Sequence, residues 1–319
     1  MKIVYLDRNT LGYDVNIDFL KEYGEYEEYD SCSQQQSAEY VKDADVIIFN
    51  KTKADSSLLE TAKKVKLLCV TATGYDNIDL DYAKSRGIAV CNVKGYSTPA
   101  VVQHTFALAL YVYEKLAYYD EYVKSGNYCR AAGFSNFDEL YYELEGKTWG
   151  IIGLGNIGKG VAKVAEAFGA RVIYYSASGK NHCDAYEQVD FDTLLSQSDV
   201  ISIHCPLNDN TRGLMNLEAF KKMKKSAILV NVARGPIVDE EALYTALTED
   251  MIAGAGLDVL SQEPMREDNP LIKIKDGRKL IITPHMAWAS VESRTRCIHE
   301  VDANIRAFLA GDLRNRVDL

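Results

Sequence analysis

The sequence predicts an α/β protein of two doubly wound parallel-sheet domains. Three observations carry the prediction. Short β-rich runs alternate with helical patterns from Lys2 to Asn92, a second series of the same kind begins after Gly146, and that series opens on a glycine-rich turn set between a strand and a helix. Alternating β and α elements imply parallel strands with helices on both faces of the sheet. A chain of 319 residues has room for about two such domains.

The first series reads as strands at Lys2–Leu6, Val46–Phe49, Lys66–Thr71 and Ile88–Asn92, with helices at Ser56–Lys64 and Asp79–Ser85. Asp79 stands at a capping position and Gly87 at a helix stop. From Pro99 to Lys124 the pattern predicts one long helical stretch, with Pro99 in its first turn. Leu108, Tyr111, Tyr118 and Tyr122 fall near one face, and Lys115 interrupts the stripe. Such a face suits a domain crossing, a subunit interface or ordinary core packing. The second series reads as strands at Trp149–Ile152, Arg171–Tyr175, Val200–His204, Ala227–Asn231, Gly256–Val259 and Leu280–Thr283. Its helices fall at Asn156–Phe168, Asp190–Gln197, Asn216–Lys222 and Glu240–Thr248. An amphipathic helix from about Val291 to Leu309, ending near Gly311, closes the chain. The boundary near Pro99 is a change of pattern, not of composition.

With 47% hydrophobic and 26% charged residues, the chain can bury proper cores and stay in solution. A net charge of -10 argues against a general nucleic-acid or anionic-membrane surface, so an anionic substrate needs a local cationic site. The N-terminus reads as a strand and lacks the apolar region and cleavage site of a signal peptide. No apolar run approaches the roughly 18 residues that span a bilayer. The 7 cysteines are odd in number, scattered and without a C-x-x-C pair. They read as reduced thiols packed as small hydrophobes, which fits a cytoplasmic protein. The 5 histidines show no metal-ligand spacing.

Gly153-Leu154-Gly155-Asn156-Ile157-Gly158 follows the apolar run Trp149–Ile152 and precedes a helical pattern with Val161, Ala162, Val164, Ala165 and Phe168 on one face. In that context the first glycine allows a tight turn and the second lets the backbone approach a pyrophosphate. The third lets helix and strand pack closely, while the helix N-terminus supplies N–H groups and partial positive charge. A glycine-rich turn with no ligand is the plainer alternative. In dinucleotide-binding folds the second strand usually ends in an acid that accepts hydrogen bonds from the ribose. Ser176 stands at that place here. A serine does not repel a ribose 2′-phosphate, and Ser178 and Lys180 are candidate donors to one, yet no arginine follows to clamp it. Both NAD and NADP therefore stay open.

Three polar residues stand near or beyond the carboxyl ends of late strands, where open α/β sheets bind ligands. Arg234 follows Val230–Ala233, Glu263 follows Gly256–Val259, and His285 follows Ile281–Pro284. Their types suit hydride transfer to a 2-keto acid. Imidazolium supplies the proton that a developing alkoxide needs. A neighbouring carboxylate favours the charged ring and orients it. A guanidinium holds the substrate carboxylate and polarises the carbonyl. Each residue alone has a plain reading too, as a surface charge or a satisfied core group.

Over essentially its whole length the chain resembles the D-isomer-specific 2-hydroxyacid dehydrogenases. Asn231-Val232-Ala233-Arg234-Gly235-Pro236-Ile237-Val238-Asp239 resembles the family's arginine motif, Gly256-Leu257-Asp258-Val259 through Glu263-Pro264 its glutamate motif, and Pro284-His285 its histidine motif. The resemblance implies Arg234 as substrate binder, Glu263 as partner of the histidine and His285 as acid/base. It implies cofactor contacts at Asn156, Ile157, Cys205, Pro206, Val232 and Ala233, and at Asp258 near the nicotinamide amide. It further implies a Rossmann-type cofactor domain, 99–285, inserted in a flavodoxin-like substrate domain, 1–98 with 286–319, and a homodimer.

Within the family the likeness is strongest to glycerate dehydrogenases, also called hydroxypyruvate reductases. It is carried by Asn50-Lys51-Thr52, by Ala72-Thr73-Gly74-Tyr75-Asp76-Asn77, by Cys91–Pro99 with Gln103-His104-Thr105, and by His285-Met286-Ala287-Trp288-Ala289-Ser290. By that likeness, backbone N–H groups around Thr73 and Gly74 hold the substrate carboxylate, and Lys51 and Trp288 line the pocket. Lys51 also reads as a solvated loop lysine. Sister activities on glyoxylate, pyruvate or phosphohydroxypyruvate remain open, as does a dinucleotide-sensing binding protein on the same fold.

Overall fold

Strands covered by helices on both faces must be apolar at successive positions. Val46–Phe49, Leu67–Val70 and Val200–Ile203 are of that kind, and each is buried along its whole length. The computed structural model describes residues 1–179 and 182–319, so Lys180 lies outside the described residues. The chain divides into two compact units, Met1–Ser97 with Ala289–Leu319, and Thr98–Trp288.

The first unit contains β1 (Lys2–Tyr5), β2 (Glu25–Glu28), α1 (Gln34–Tyr40), β3 (Val46–Phe49), α2 (Ser56–Thr61), β4 (Leu67–Val70), α3 (Leu80–Ser85) and β5 (Ala89–Cys91). The strands pair in parallel in the order β2-β1-β3-β4-β5, so the winding reverses between β1 and β3. Val4, Ile47, Phe49, Leu68 and Val90 of one sheet face pack with Leu58, Leu59 and Ala83 of α2 and α3. The alternate residues Ile3, Tyr5, Ile48 and Cys69 are buried as well. Asp79 caps α3 by accepting from the Tyr82 N–H. The sequence patterns miss β2 and α1. β2 is a half-exposed edge strand of glutamates and one tyrosine, and α1 buries only Ser37. The signal of α1 is its capping box, in which Ser33 and Gln36 exchange side-chain-to-backbone hydrogen bonds.

The second unit contains α4 (Thr98–Tyr113), α5 (Leu116–Lys124), β6 (Thr148–Ile152), α6 (Asn156–Ala167), β7 (Arg171–Tyr175), β8 (Glu187–Gln188), α7 (Phe191–Gln197), β9 (Val200–Ile203), α8 (Leu217–Lys222), β10 (Ile228–Asn231), α9 (Glu240–Thr248), β11 (Gly254–Leu257) and β12 (Leu280–Ile282). Its parallel sheet runs β12-β11-β10-β9-β6-β7-β8. Numbered from its own first strand, the order is 7-6-5-4-1-2-3, the Rossmann arrangement with one strand more, and its switch point lies between β6 and β9. Residues of α4 and α6 pack on one face around Trp149, and residues of α7, α8 and α9 pack on the other around Phe220.

Three expectations are corrected here. The stretch Pro99–Lys124 is two helices, because Lys115 takes a left-handed conformation, φ 58°, between α4 and α5. Its ammonium donates to the Arg278 carbonyl, and burial holds its pKa below the ordinary lysine value. Leu108 is therefore buried under α4, while Tyr118 and Tyr122 stack on α5, half-buried. Phe168, expected on the buried face of α6, is 44% exposed, although its ring stacks on Phe106. β11 also begins two residues before the expected Gly256. A Cβ on Gly254 would lie 2.4 Å from Val112, and one on Gly256 2.8 Å from Leu108, so α4 rests directly on these glycines. The last helix, α10 (Val291–Ala310), is capped by Ser290 and by Gly311 at φ 83°. It belongs to the first unit, where it packs on β4 and buries Cys297, Ile298, Val301 and Ile305. No helix of the described residues is long and apolar enough to cross a membrane.

Candidate active site

The glycine turn sits at the switch point of the second unit, between the ends of β6 and β9. Gly153 has φ 95°, and a Cβ there would lie 2.6 Å from the Cys205 nitrogen. A Cβ on Gly158 would lie 2.3 Å from the Gly153 carbonyl oxygen. The protein's own packing thus requires the first and third glycines. Gly155 differs: it caps α6 at φ -80°, and a Cβ there would meet nothing within 4 Å. The middle glycine opens on space at a helix N-terminus, where Asn156 and Ile157 begin the first turn. That is the geometry a dinucleotide pyrophosphate needs.

The other expected cofactor residues follow neighbouring strands. Ser176 comes directly after β7, buried, with a hydroxyl that has no hydrogen-bond partner among the described residues. No acid occupies that place, and Ser178 is exposed in the turn beyond it. Cys205 and Pro206 lie just past β9. Burial pushes the Cys205 thiol up to about 11, so it stays protonated at neutral pH. Val232 and Ala233 follow β10 in a turn built by buried Asn231, whose side chain accepts from the Ala233 N–H and donates to the Arg234 carbonyl. This turn presents Arg234, whose guanidinium donates to the Ala233 carbonyl at 2.8 Å. Gly235 packs tightly on the backbone of Leu260 and Ser261, bringing the arginine turn against the loop that carries Glu263.

Glu263 and His285 are in direct contact, Nδ1 to Oε2 at 2.7 Å. The other carboxylate oxygen accepts from the Leu260 N–H at 3.0 Å, which ties the glutamate to its own loop. With Nδ1–H directed at Glu263, His285 presents Nε2 for proton transfer. His285 has φ 55°, a conformation uncommon outside glycine. Its N–H donates to the Asp258 carbonyl, and the Asp258 carboxylate accepts from the N–H groups of Met286 and Ala287, each at 2.8 Å. The Asp258 side chain is 1% exposed. Burial works against its charge, but His104, Thr283 and the two N–H groups more than offset this and hold its pKa below the ordinary value. Trp288 is half-buried against the core around Trp149.

In the first unit, Lys51, Thr73 and Gly74 follow the adjacent strands β3 and β4. Buried Asp7, at φ 59° after β1, accepts from the N–H groups of Asn50, Lys51 and Thr52 and from the Thr52 hydroxyl. Asn77 donates to the carbonyls of Asn50 and Thr52. The Thr73 hydroxyl donates to the Val93 carbonyl, and Asn92 donates to the Thr73 carbonyl. Sequence reasoning missed Asp7 and Asn77 as partners of residues 50–52 in the first unit, and His104 and Thr283 as partners of Asp258 in the second. The one available signal was the polar run Gln103-His104-Thr105 inside the mostly apolar α4.

A Rossmann-ordered sheet, a glycine turn open at its middle residue and a His–Glu pair beyond the strand ends define a dehydrogenase that uses a nicotinamide dinucleotide. The model of the D-isomer specific 2-hydroxyacid dehydrogenase NAD-binding domain matches residues 106–287. A glycerate dehydrogenase of Methylorubrum extorquens is 38% identical over 99% of this chain and 99% of its own. Among solved structures, the D-lactate dehydrogenase of Aquifex aeolicus, complexed with NAD and lactic acid, superposes with a TM-score of 0.87 at 30% identity, over 99% of each chain. An acyclic imino acid reductase in complex with NADPH and D-Arg superposes at 0.86 with 32% identity, over 99% of this chain and 100% of its own. The chain belongs to the D-isomer-specific 2-hydroxyacid dehydrogenase family. It is an oxidoreductase of 2-hydroxy acids that takes NAD or NADP.

Proposed function

We propose that the chain reduces hydroxypyruvate to D-glycerate, with His285 as proton donor. The observation that carries the reading is the 2.7 Å contact between His285 and Glu263. When bound, the reduced nicotinamide supplies a hydride to C2 of the keto acid. Asn156 and Ile157 in the first turn of α6, with Gly153, Gly155 and Gly158, hold the pyrophosphate. Ser176, Cys205, Pro206, Val232, Ala233 and Asp258 line the rest of the dinucleotide. Arg234 pairs with the substrate carboxylate and polarises the carbonyl. His285 delivers its Nε2 proton to the carbonyl oxygen as charge develops there, while Glu263 holds the ring through Nδ1. Thr73 and Gly74 offer backbone N–H groups to the carboxylate, and Lys51 and Trp288 shape the pocket. In this reading 99–285 is the cofactor domain, and 1–98 with 286–319 the substrate domain.

The likeness to a glycerate dehydrogenase along the whole chain supports the choice of substrate. The protein works as a cytoplasmic homodimer, a reading supported by its free cysteines and by the segment after α5. That segment exposes Phe134 (89%) and Phe137 (79%), with Leu140, Tyr141 and Tyr142 beside them, an apolar surface of the kind that covers itself by association. The test replaces His285 with Gln and follows turnover on hydroxypyruvate, glyoxylate and pyruvate with NADH and NADPH. The variant should lose roughly two to four decades of kcat. A near-normal kcat removes His285 from proton transfer, and a wild-type preference for another keto acid overturns the substrate.

A further inference from the structure

We propose that His104 is a positioning residue for His285, acting through Thr283 and Asp258; the inference rests on His285 as the proton donor. The Thr283 hydroxyl lies 2.6 Å from Asp258 Oδ1, and a carboxylate only accepts, so Thr283 donates there. Its oxygen is left to accept, and His104 Nε2 lies 2.9 Å away. The chain therefore runs in one direction: His104 Nε2–H to Thr283 Oγ1, then Thr283 O–H to Asp258 Oδ1. His104 Nε2 is also 3.5 Å from the same carboxylate oxygen.

The far side of Asp258 holds the backbone on which His285 stands. Its two oxygens accept from Met286 and Ala287, and its carbonyl accepts from the His285 N–H. These bonds fix a turn whose first residue has φ 55°. A non-glycine residue held there is strained and persists only where its surroundings over-determine it. Asp258 can serve that purpose only while charged and fixed, and it is buried where charge is unfavourable. His104 and Thr283 supply the compensating donors. They come from α4 and from the residue after β12, so one hydrogen-bonded chain links a helix, two strand ends and the His285 turn. His104 bonds to Thr283 and reaches the His285 turn through Asp258, which makes its effect one of placement.

The experiment compares His104→Leu, His104→Gln and Thr283→Val, reading keto-acid kinetics and amide hydrogen exchange at Met286 and Ala287 in the full-length protein. His104→Leu should lower kcat roughly tenfold or more, with KM changed much less, and should speed exchange at both amides. His104→Gln, whose amide still donates, should restore both. The double variant His104→Leu with Thr283→Val should lose no more than either alone, because the two sit in one chain. Unchanged exchange at Met286 and Ala287 in His104→Leu overturns the inference, as does a Gln variant as impaired as Leu. If His104→Leu does not fold, Thr283→Val decides by the same two readouts. If the wild type does not reduce hydroxypyruvate, amide exchange still judges His104, and only the substrate reading falls.

Discussion

Replacing Gly155 with Ala separates a glycine kept for a ligand from glycines kept for the protein. The residue sits at φ -80°, which alanine adopts without strain, and its Cβ would meet nothing within 4 Å. As a helix cap alanine is poorer than glycine by about 0.5–1 kcal/mol, but it also stabilises by about 0.4–1 kcal/mol through the unfolded chain. The two effects nearly cancel, so Tm should stay within a few degrees of the wild type. On the proposed reading, the added methyl occupies the space through which the pyrophosphate reaches the first turn of α6. Inserting a methyl into a close contact costs about 1–3 kcal/mol, or roughly five- to 150-fold in Kd. Gly153→Ala and Gly158→Ala are the controls. The first carries a positive φ and meets the Cys205 nitrogen at 2.6 Å, and the second meets the Gly153 carbonyl at 2.3 Å. Both should lose stability before binding can be compared. Fluorescence titration with NADH and NADPH, alongside thermal melts, reads all three. A Gly155→Ala protein that binds both dinucleotides with wild-type affinity refutes the argument.

Gly235→Ala drives a Cβ to 1.9 Å from the Leu260 carbonyl carbon, so the loop carrying Glu263 must retreat by roughly 1 Å or more; kcat/KM should fall about 100-fold, and normal kinetics would show that the loop gives without harm. Burial drops the His204 pKa from 6.5 to about 3, so the stability of its neutral ring is fully present above about pH 6.5 and is lost as pH falls toward 3. Between pH 7 and 5 the wild type should lose about 2 kcal/mol more than His204→Gln in urea titrations, and equal losses would exclude the ring as the cause. Phe134→Ser with Phe137→Ser should convert a dimer to a monomer by light scattering, and a monomeric wild type would remove the proposed interface.

Much of the fold was legible because buried parallel strands leave continuous apolar runs. β3, β4 and β9 are such runs, and none has an exposed face to dilute the signal. β2 was illegible for the opposite reason, since its edge position leaves glutamates in solvent. Lys115 showed as an interruption of the stripe but not as a helix break, because the local pattern is helical on both sides and its partner, the Arg278 carbonyl, is 163 residues away. In the site, Arg234, Glu263 and His285 stood out as polar residues after apolar strands. The partners of the His285 turn did not: His104 and Thr283 are 179 residues apart, and nothing local to either shows that they meet. Lys180 lies outside the described residues, so its part in the NADP alternative goes no further than the sequence.

The grip of Asp7 and Asn77 on residues 50–52 has a consequence for how this protein can change. Asp7 takes three successive main-chain N–H groups, and Asn77 takes two carbonyls of the same short loop. At position 51 the hold falls on the main-chain nitrogen, which every residue except proline supplies. The side chain there is exposed and can be exchanged while the loop keeps its path. Such a position is open to evolutionary drift and to laboratory redesign alike, because a new side chain inherits a ready-made mounting.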